Sequence, residues 1–160
     1  MTLPDTHYTE NQRLEAEAYV DLFELHLNPT GVVLFKNNEP ITWDGKYYEG
    51  FALSLSGVDM NADEEESRPT FTVVNPKGFF TSFVAQGNLE KATIIRRRVL
   101  RSNIVSNTVI AQVRYWLVSR VALVTYDLIT LELRDLTDGP NFLTPARLFI
   151  PPEFRTVSLR

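Results

Sequence analysis

Three separated stretches between Glu39 and Arg101 dictate extended backbone, and they constrain the fold more than any other part of the 160 residues. The first is Glu39-Pro-Ile-Thr-Trp43-Asp-Gly-Lys-Tyr-Tyr48. Asp44-Gly45 between two strand-like runs predicts a two-residue type I′ turn, because both central positions need positive φ. Trp43 beside that turn is read as the packing anchor of the hairpin. The second stretch is Arg68-Pro-Thr-Phe-Thr-Val73. Pro69 sits where its missing N–H does least harm, at the opening of a strand. The third, Ile94-Ile-Arg-Arg-Arg-Val99, is a strand loaded with arginine. None of the three carries a catalytic pattern.

The flanking sequence extends this reading. Thr9-Glu-Asn-Gln12 has the form of a capping box, and the good helix formers after it predict a short N-terminal helix. From Tyr19 the period becomes two. Phe23, Leu25 and Leu27 point one way and Glu24 and His26 the other, so His26 is expected to face solvent. Phe51, Leu53 and Leu55 alternate with small residues in a further strand, and Phe79, Phe80 and Phe83 suggest a short helix or turn packed on the sheet. Gln112 to Leu117 and Ile129 to Leu133 supply two more strands, with Val121 to Tyr126 completing a hairpin between them. Asp59 to Glu66, including Asp63, Glu64, Glu65 and Glu66, reads as a solvated acidic loop. It lacks the spaced oxygen ligands and central glycine of a calcium loop.

Composition narrows function mainly by exclusion. With 44% apolar and 22% charged residues the chain can bury one core, and its net charge of −4 disfavours nucleic-acid binding as a general property. No cysteine is present, which removes disulfides, thiolate nucleophiles and cysteine metal clusters. Only His7 and His26 carry imidazoles, and His7 is expected in a frayed terminus, so a triad or a histidine metal site is a poor reading. No apolar run is long enough to span a bilayer, and the start lacks the basic and apolar regions of a secretion signal, so folding in a cytoplasm is expected. The expected architecture is mainly β, an antiparallel barrel or sandwich over residues 1–136 with one further short helix. A proline-rich extended arm is expected over 137–160, and it carries Phe142, Phe149 and Phe154.

The arginine strand, read from Thr93 to Asn103, puts Ile94, Arg96, Arg98 and Leu100 on one face and Ile95, Arg97, Val99 and Arg101 on the other. Both faces therefore mix apolar and cationic groups. Two explanations stand side by side. The arginines find carboxylates or carbonyls on a neighbouring subunit, or the strand lies at a sheet edge, where charge deters aggregation.

The proline–hydroxyl–tryptophan hairpin, the Ser67-Arg-Pro-Thr-Phe-Thr-Val73 strand and the Ile95-to-Val99 arginine run are fairly specific in this order and spacing. In combination they resemble the minor tail protein L family of long-tailed bacteriophages. The likeness begins at Leu14 to Leu27 and continues loosely through Arg114-Tyr-Trp116 and Asp138-Gly139 to Ala146-Arg147. The resemblance implies a β-rich, tail-tube-like baseplate-hub domain that assembles as a homotrimer at the tail tip of the virion, built in the host cytoplasm. Its implied partners are other copies of itself, the distal tail protein ring, the central hub or tail fibre protein, and the tape measure protein. Genomic DNA would meet it only in passage, and no membrane anchor is implied. Well-studied members bind an iron–sulfur cluster in a cysteine-rich C-terminal extension. Without cysteine no cofactor is expected here, and a shorter variant is expected in which Pro140 to Arg160 makes substitute contacts.

DNA slides best along a neutral or negative wall, because cationic walls hold phosphates. Arg96, Arg98 and Arg101 are therefore expected to face protein neighbours, together with the arm's Phe142, Phe149 and Phe154. The acidic loop is expected to line the channel or to meet a basic partner. Three alternatives remain: a hexameric distal tail or tube protein, a carbohydrate-binding β-sandwich with Trp43, Tyr47, Tyr48 and Trp116 as a stacking platform, and a wall-degrading hydrolase. No carboxylate pair sits in a recognisable catalytic setting, so an enzyme is not expected.

Overall fold

A computed structural model of the chain describes residues 5, 7, 9, 17–57 and 68–135. Among the described residues nine strands form one sheet: β1 Tyr19–His26, β2 Val32–Asn37, β3 Ile41–Trp43, β4 Lys46–Phe51, β5 Leu53–Ser56, β6 Thr70–Val74, β7 Thr93–Leu100, β8 Gln112–Val124 and β9 Leu128–Asp135. A 3-10 turn at Pro76–Gly78 and two short helices, α1 Thr81–Ala85 and α2 Arg101–Val105, interrupt them. The spatial order is β3-β4-β2-β1-β7-β8-β9-β6-β5. All neighbours are antiparallel except β2 and β4, which run parallel.

The two ends of this order are one piece of chain. β4 pairs with β2 near one end, β5 pairs with β6 at the other, and only Ala52 separates β4 from β5. Asn38 donates its N–H to Phe51 O, and Val74 donates to Ala52 O, so the segment is stitched on both sides. The sheet therefore curls into a barrel-like form. Its interior holds Phe23, Leu25, Phe35, Phe71, Ile94, Trp116 and Leu131. Phe23 of β1 and Phe71 of β6 lie four strands apart in the order, yet their rings are 5.3 Å apart across the interior. Phe80, ahead of α1, is buried against Phe35 and Phe51 and closes one end of the interior. Asn75 holds that plug: its Oδ1 accepts the Phe80 N–H at 2.7 Å, and its Nδ2 donates to Thr125 O at 2.8 Å.

A second, smaller core lies on the outer face. The β3–β4 hairpin folds over the sheet there, and Trp43 and Tyr48 pack on Leu22 and Val99. Its turn has positive φ at both Asp44 (53°) and Gly45 (68°), as the Asp-Gly pair predicts. Asp44 N–H also donates to Asn107 Oδ1 at 3.0 Å, tying the turn to the segment after α2.

Several sequence expectations need correction. Thr9 does not start the helix: Asp5, His7 and Thr9 are already helical, and the Thr9 hydroxyl donates to Asp5 O one turn back. His7 is buried, packed beside the Tyr19 ring, and is not in a frayed end. β7 is the fifth strand of nine, so the edge-strand explanation for its arginines fails. β7 also ends at Leu100, and Arg101 opens α2, where Glu17 accepts hydrogen bonds from the Ser102 N–H and hydroxyl. The segment 112–124 is a single strand, with register shifts between Val118 and Arg120 and between Val121 and Leu123. The acidic run at 59–66 and the arm at 137–160 lie outside the described residues.

Gly50 lies where the barrel closes against the β2–β3 connection. A Cβ there would come within 2.0 Å of the Asn38 carbonyl oxygen, a backbone atom that cannot rotate away. Gly50→Ala should therefore destabilise the fold by about 1–3 kcal/mol in urea unfolding. A change within about 0.5 kcal/mol would show that the closure has slack.

Candidate assembly surface around the arginine strand

Strand alternation divides the β7 arginines between the two faces. Arg96 and Arg98 share the interior face with Ile94, whereas Arg97 shares the outer face with Val99. The arginine strand pairs with β1 on one side and β8 on the other. Charge partners come from β1, and their register is the reason. Asp21 lies directly opposite Arg98, and Glu24 lies opposite Ile95, one step from Arg97 on the same outer face.

On the interior face the Arg98 fork grips Asp21: Nε donates to Oδ1 at 2.9 Å and Nη2 to Oδ2 at 3.2 Å. The same guanidinium lies 5.7 Å from the Tyr19 ring centre. Arg96 is buried, with its guanidinium 5.4 Å from the Trp116 ring centre. Arg114 of β8 stands opposite Arg96 in register, reaches the same tryptophan at 5.0 Å and donates to Asp135 Oδ2 at 3.4 Å. These groups surround an open cleft of about 700 Å³ at the end of the interior away from Phe80, with Leu53 and Leu55 on the far wall.

The outer face carries a denser cluster around Glu24, which is 2% exposed. Its Oε1 accepts from Arg97 Nε at 2.8 Å, Lys46 Nζ at 3.0 Å and the Tyr48 hydroxyl at 3.0 Å. His26 Nε2 lies 3.2 Å from Oε2. Burial alone would raise the Glu24 pKa, but hydrogen bonds from Lys46, Arg97 and His26 and the field of Arg97 outweigh it and bring it down to about 2. Burial and the neighbouring carboxylate raise the pKa of Tyr48, which stays a neutral donor. Three elements meet at this one carboxylate: β1, the β3–β4 hairpin and β7. Glu24 was expected at the surface with His26. The β3–β4 hairpin covers it instead, and His26 remains half-exposed beside it.

The arrangement braces β1, β7 and the β3–β4 hairpin against one another through shared carboxylates. Among the described residues no cluster of three His, Cys, Asp or Glu side chains could hold a metal ion. The four aromatics proposed as a sugar platform do not form one. Trp43, Tyr48 and Trp116 are buried in two different cores, and Tyr47 alone of the four is exposed. Arg101 is exposed at the start of α2, away from the barrel interior. Asp63 to Glu66 and Phe142, Phe149 and Phe154 lie outside the described residues. Sequence reading missed Asp21, Glu24, Lys46 and Arg114. A carboxylate inside each otherwise apolar stretch of β1 was the available signal.

The sequence-family comparison with known proteins covers part of this geometry, the β3–β4 hairpin and the arginine strand, and not β1 or β8. The sequence family described as phage minor tail protein L matches residues 29–108, half of the chain, from the loop before β2 to the end of the α2 region. Tail tip protein L of Escherichia phage lambda is 32% identical over 98 residues, covering 56% of this chain and 42% of that protein. Among solved structures, a chain of the native gene transfer agent virion aligns with a TM-score of 0.58 at 13% identity, over 86% of this chain and 47% of its own length. The present chain thus spans less than half of each of these two proteins. The structural likeness supports the mainly β fold.

The Glu24 cluster makes stability depend on pH in a defined window. Its folded pKa lies below its unfolded value, so its contribution is complete above about pH 4.5 and is lost as pH falls toward 2. That contribution is about 3 kcal/mol at neutral pH. Unfolding measured across this window should show the wild type losing more stability than Glu24→Gln. Equal pH slopes for the two proteins would contradict the assignment.

Proposed function

The chain belongs to the phage minor tail protein L family, structural components of phage tails, and we propose that it builds the tail tip of a long-tailed phage. In this reading three copies close a ring that continues the tail tube and joins the distal tail ring to the central hub or fibre protein. The protein acts as an adaptor and has no substrate. The family match over 29–108 carries the proposal, because it includes both the β3–β4 hairpin and the arginine strand. Barrel-like β domains suit such an adaptor because they are rigid, and cyclic symmetry lets one repeated surface close on itself without open-ended growth.

Charge arrangement supports a passive bore. Arg96 and Arg98 are turned into the barrel interior of their own chain, where β1 supplies Asp21. DNA sliding past would then meet little fixed positive charge from this strand. Among the described residues Arg101 is the exposed member of the proposed interface set, which also includes Phe142, Phe149 and Phe154, while the acidic run Asp63 to Glu66 lines the channel or meets a basic partner in this reading.

Stoichiometry tests the reading directly. Quantitative mass spectrometry of purified tails should give three copies per tail. Six copies would assign the chain to the distal tail or tube ring, and absence from tails would end the proposal. Arg101→Glu tests the interface set. A carboxylate is well tolerated in the first turn of a helix, so folding stability should change by less than about 0.5 kcal/mol. Assembled tails should fall roughly tenfold if each contact loses about 1.4 kcal/mol. Normal tail yield would remove Arg101 from the interface.

A further inference from the structure

His7 is completely buried, at 0% exposure, and neither of its ring nitrogens has a hydrogen-bond partner among the described residues. A neutral imidazole carries one N–H donor and one acceptor, so either tautomer leaves both unsatisfied here. Buried polar groups are ordinarily paired, and an orphan of this kind points to a role other than packing alone. What the ring has instead is an aromatic contact. It lies 5.5 Å from the Tyr19 ring centre, tilted by 36°, at the start of β1. Tyr19 in turn lines the open cleft of the barrel. The helical turn that carries Asp5, His7 and Thr9 is thus seated on the cleft rim through an uncharged ring.

We propose that the seating of His7 on Tyr19 is an acid-released latch, in which the neutral imidazole holds this helical turn against the barrel and the protonated one lets it go. A protonated ring would put charge into a buried site that offers no acceptor to either N–H, which is strongly disfavoured. In water the same ring is protonated without that cost, so added protons favour the released state. Among the described residues, the groups that face the ring are Tyr19 from β1 and Arg98 from β7, whose fork holds Asp21 of β1. Asp5, on the same helical turn, is exposed. The latch rests on the burial of His7 and on its two unpaired nitrogens, and on no spare donor of Arg98 or Tyr19.

The direction of the pH dependence follows. Burial first, and the field of Arg98 second, hold the His7 pKa below its ordinary 6.5. A folded pKa below the released one means that the contact is complete above about pH 6.5 and weakens as pH falls through the folded pKa. Release takes up one proton, so its equilibrium constant rises about tenfold per pH unit within that window. This is the range in which histidine serves as a switch, and it lies well above the range in which Glu24 titrates.

The test uses the full 160-residue chain and NMR between pH 7.5 and 5.0. Hydrogen-exchange protection factors of the His7 and Thr9 amides are compared with those of β7 and β8, and the ring signals of the two histidines, His7 and His26, are titrated separately. The His7 ring should titrate with a midpoint below 6.5. Its amide protection should fall about tenfold per pH unit across the window while β7 and β8 stay protected. His7→Phe keeps an aromatic ring on Tyr19 and removes the proton, so protection of the turn should become independent of pH. His26→Gln should respond as the wild type does. Flat protection in the wild type, an unchanged response in His7→Phe, or a response lost in His26→Gln would each overturn the latch. So would loss of protection in β7 and β8 together with His7, which would show general acid unfolding. None of these outcomes depends on whether the chain is found in tails, so the latch and the assembly reading are tested apart.

Discussion

The fold depends on how β7, lying in the middle of the sheet, satisfies three consecutive arginines. A central strand has no wet edge and little wet face, so each guanidinium must meet an anion, a π face or water at a barrel end. β1 resolves most of this by register. Asp21 and Glu24 are three residues apart and so fall on opposite faces, one for Arg98 inside and one for Arg97 outside. A slip of one residue would turn both carboxylates to the wrong faces. The charges therefore act with the apolar alternation to fix one pairing of the two longest-range neighbours in the centre of the sheet.

Glu24 extends that constraint to the hairpin. Lys46 follows the turn and Tyr48 lies two residues on, and both reach the same carboxylate oxygen as Arg97. Trp43 and Tyr48 add apolar packing on Leu22 and Val99. The hairpin is thereby held by one hydrogen-bonded ion cluster and one small core, and it covers an outer face that would otherwise be open. Such bracing holds the hairpin and the central strands in one fixed arrangement.

Much of the strand content was readable because it depends on local pattern. The alternation of Ile129, Leu131 and Leu133, the Asp44-Gly45 turn and the proline opening of β6 each name their element from a few residues. The acidic and basic partners were harder to read, because period two divides residues between faces without saying whether a face is covered. Glu24 was assigned to water for that reason, and a hairpin from elsewhere in the chain buries it. Phe51, Leu53 and Leu55 were read as sharing one strand, since nothing local marks Ala52 as the point where the chain passes from one end of the sheet to the other. Arg101 was placed on the strand because Leu100-Arg-Ser-Asn has no proline or glycine to stop it; Glu17, 85 residues away from Ser102, secures the helix start. Arg96 and Arg98 were read as seeking partners on another subunit, and Arg98 has one on its own β1.

A double-mutant cycle on Glu24 and Arg97 measures the central constraint most directly. Urea unfolding of the wild type, Glu24→Gln, Arg97→Gln and the double variant at pH 7 yields their coupling energy. Groups sharing one buried cluster should show at least about 1 kcal/mol of favourable coupling. Additivity within about 0.3–0.5 kcal/mol would contradict this, showing that the arginine strand is held in place without its β1 carboxylate.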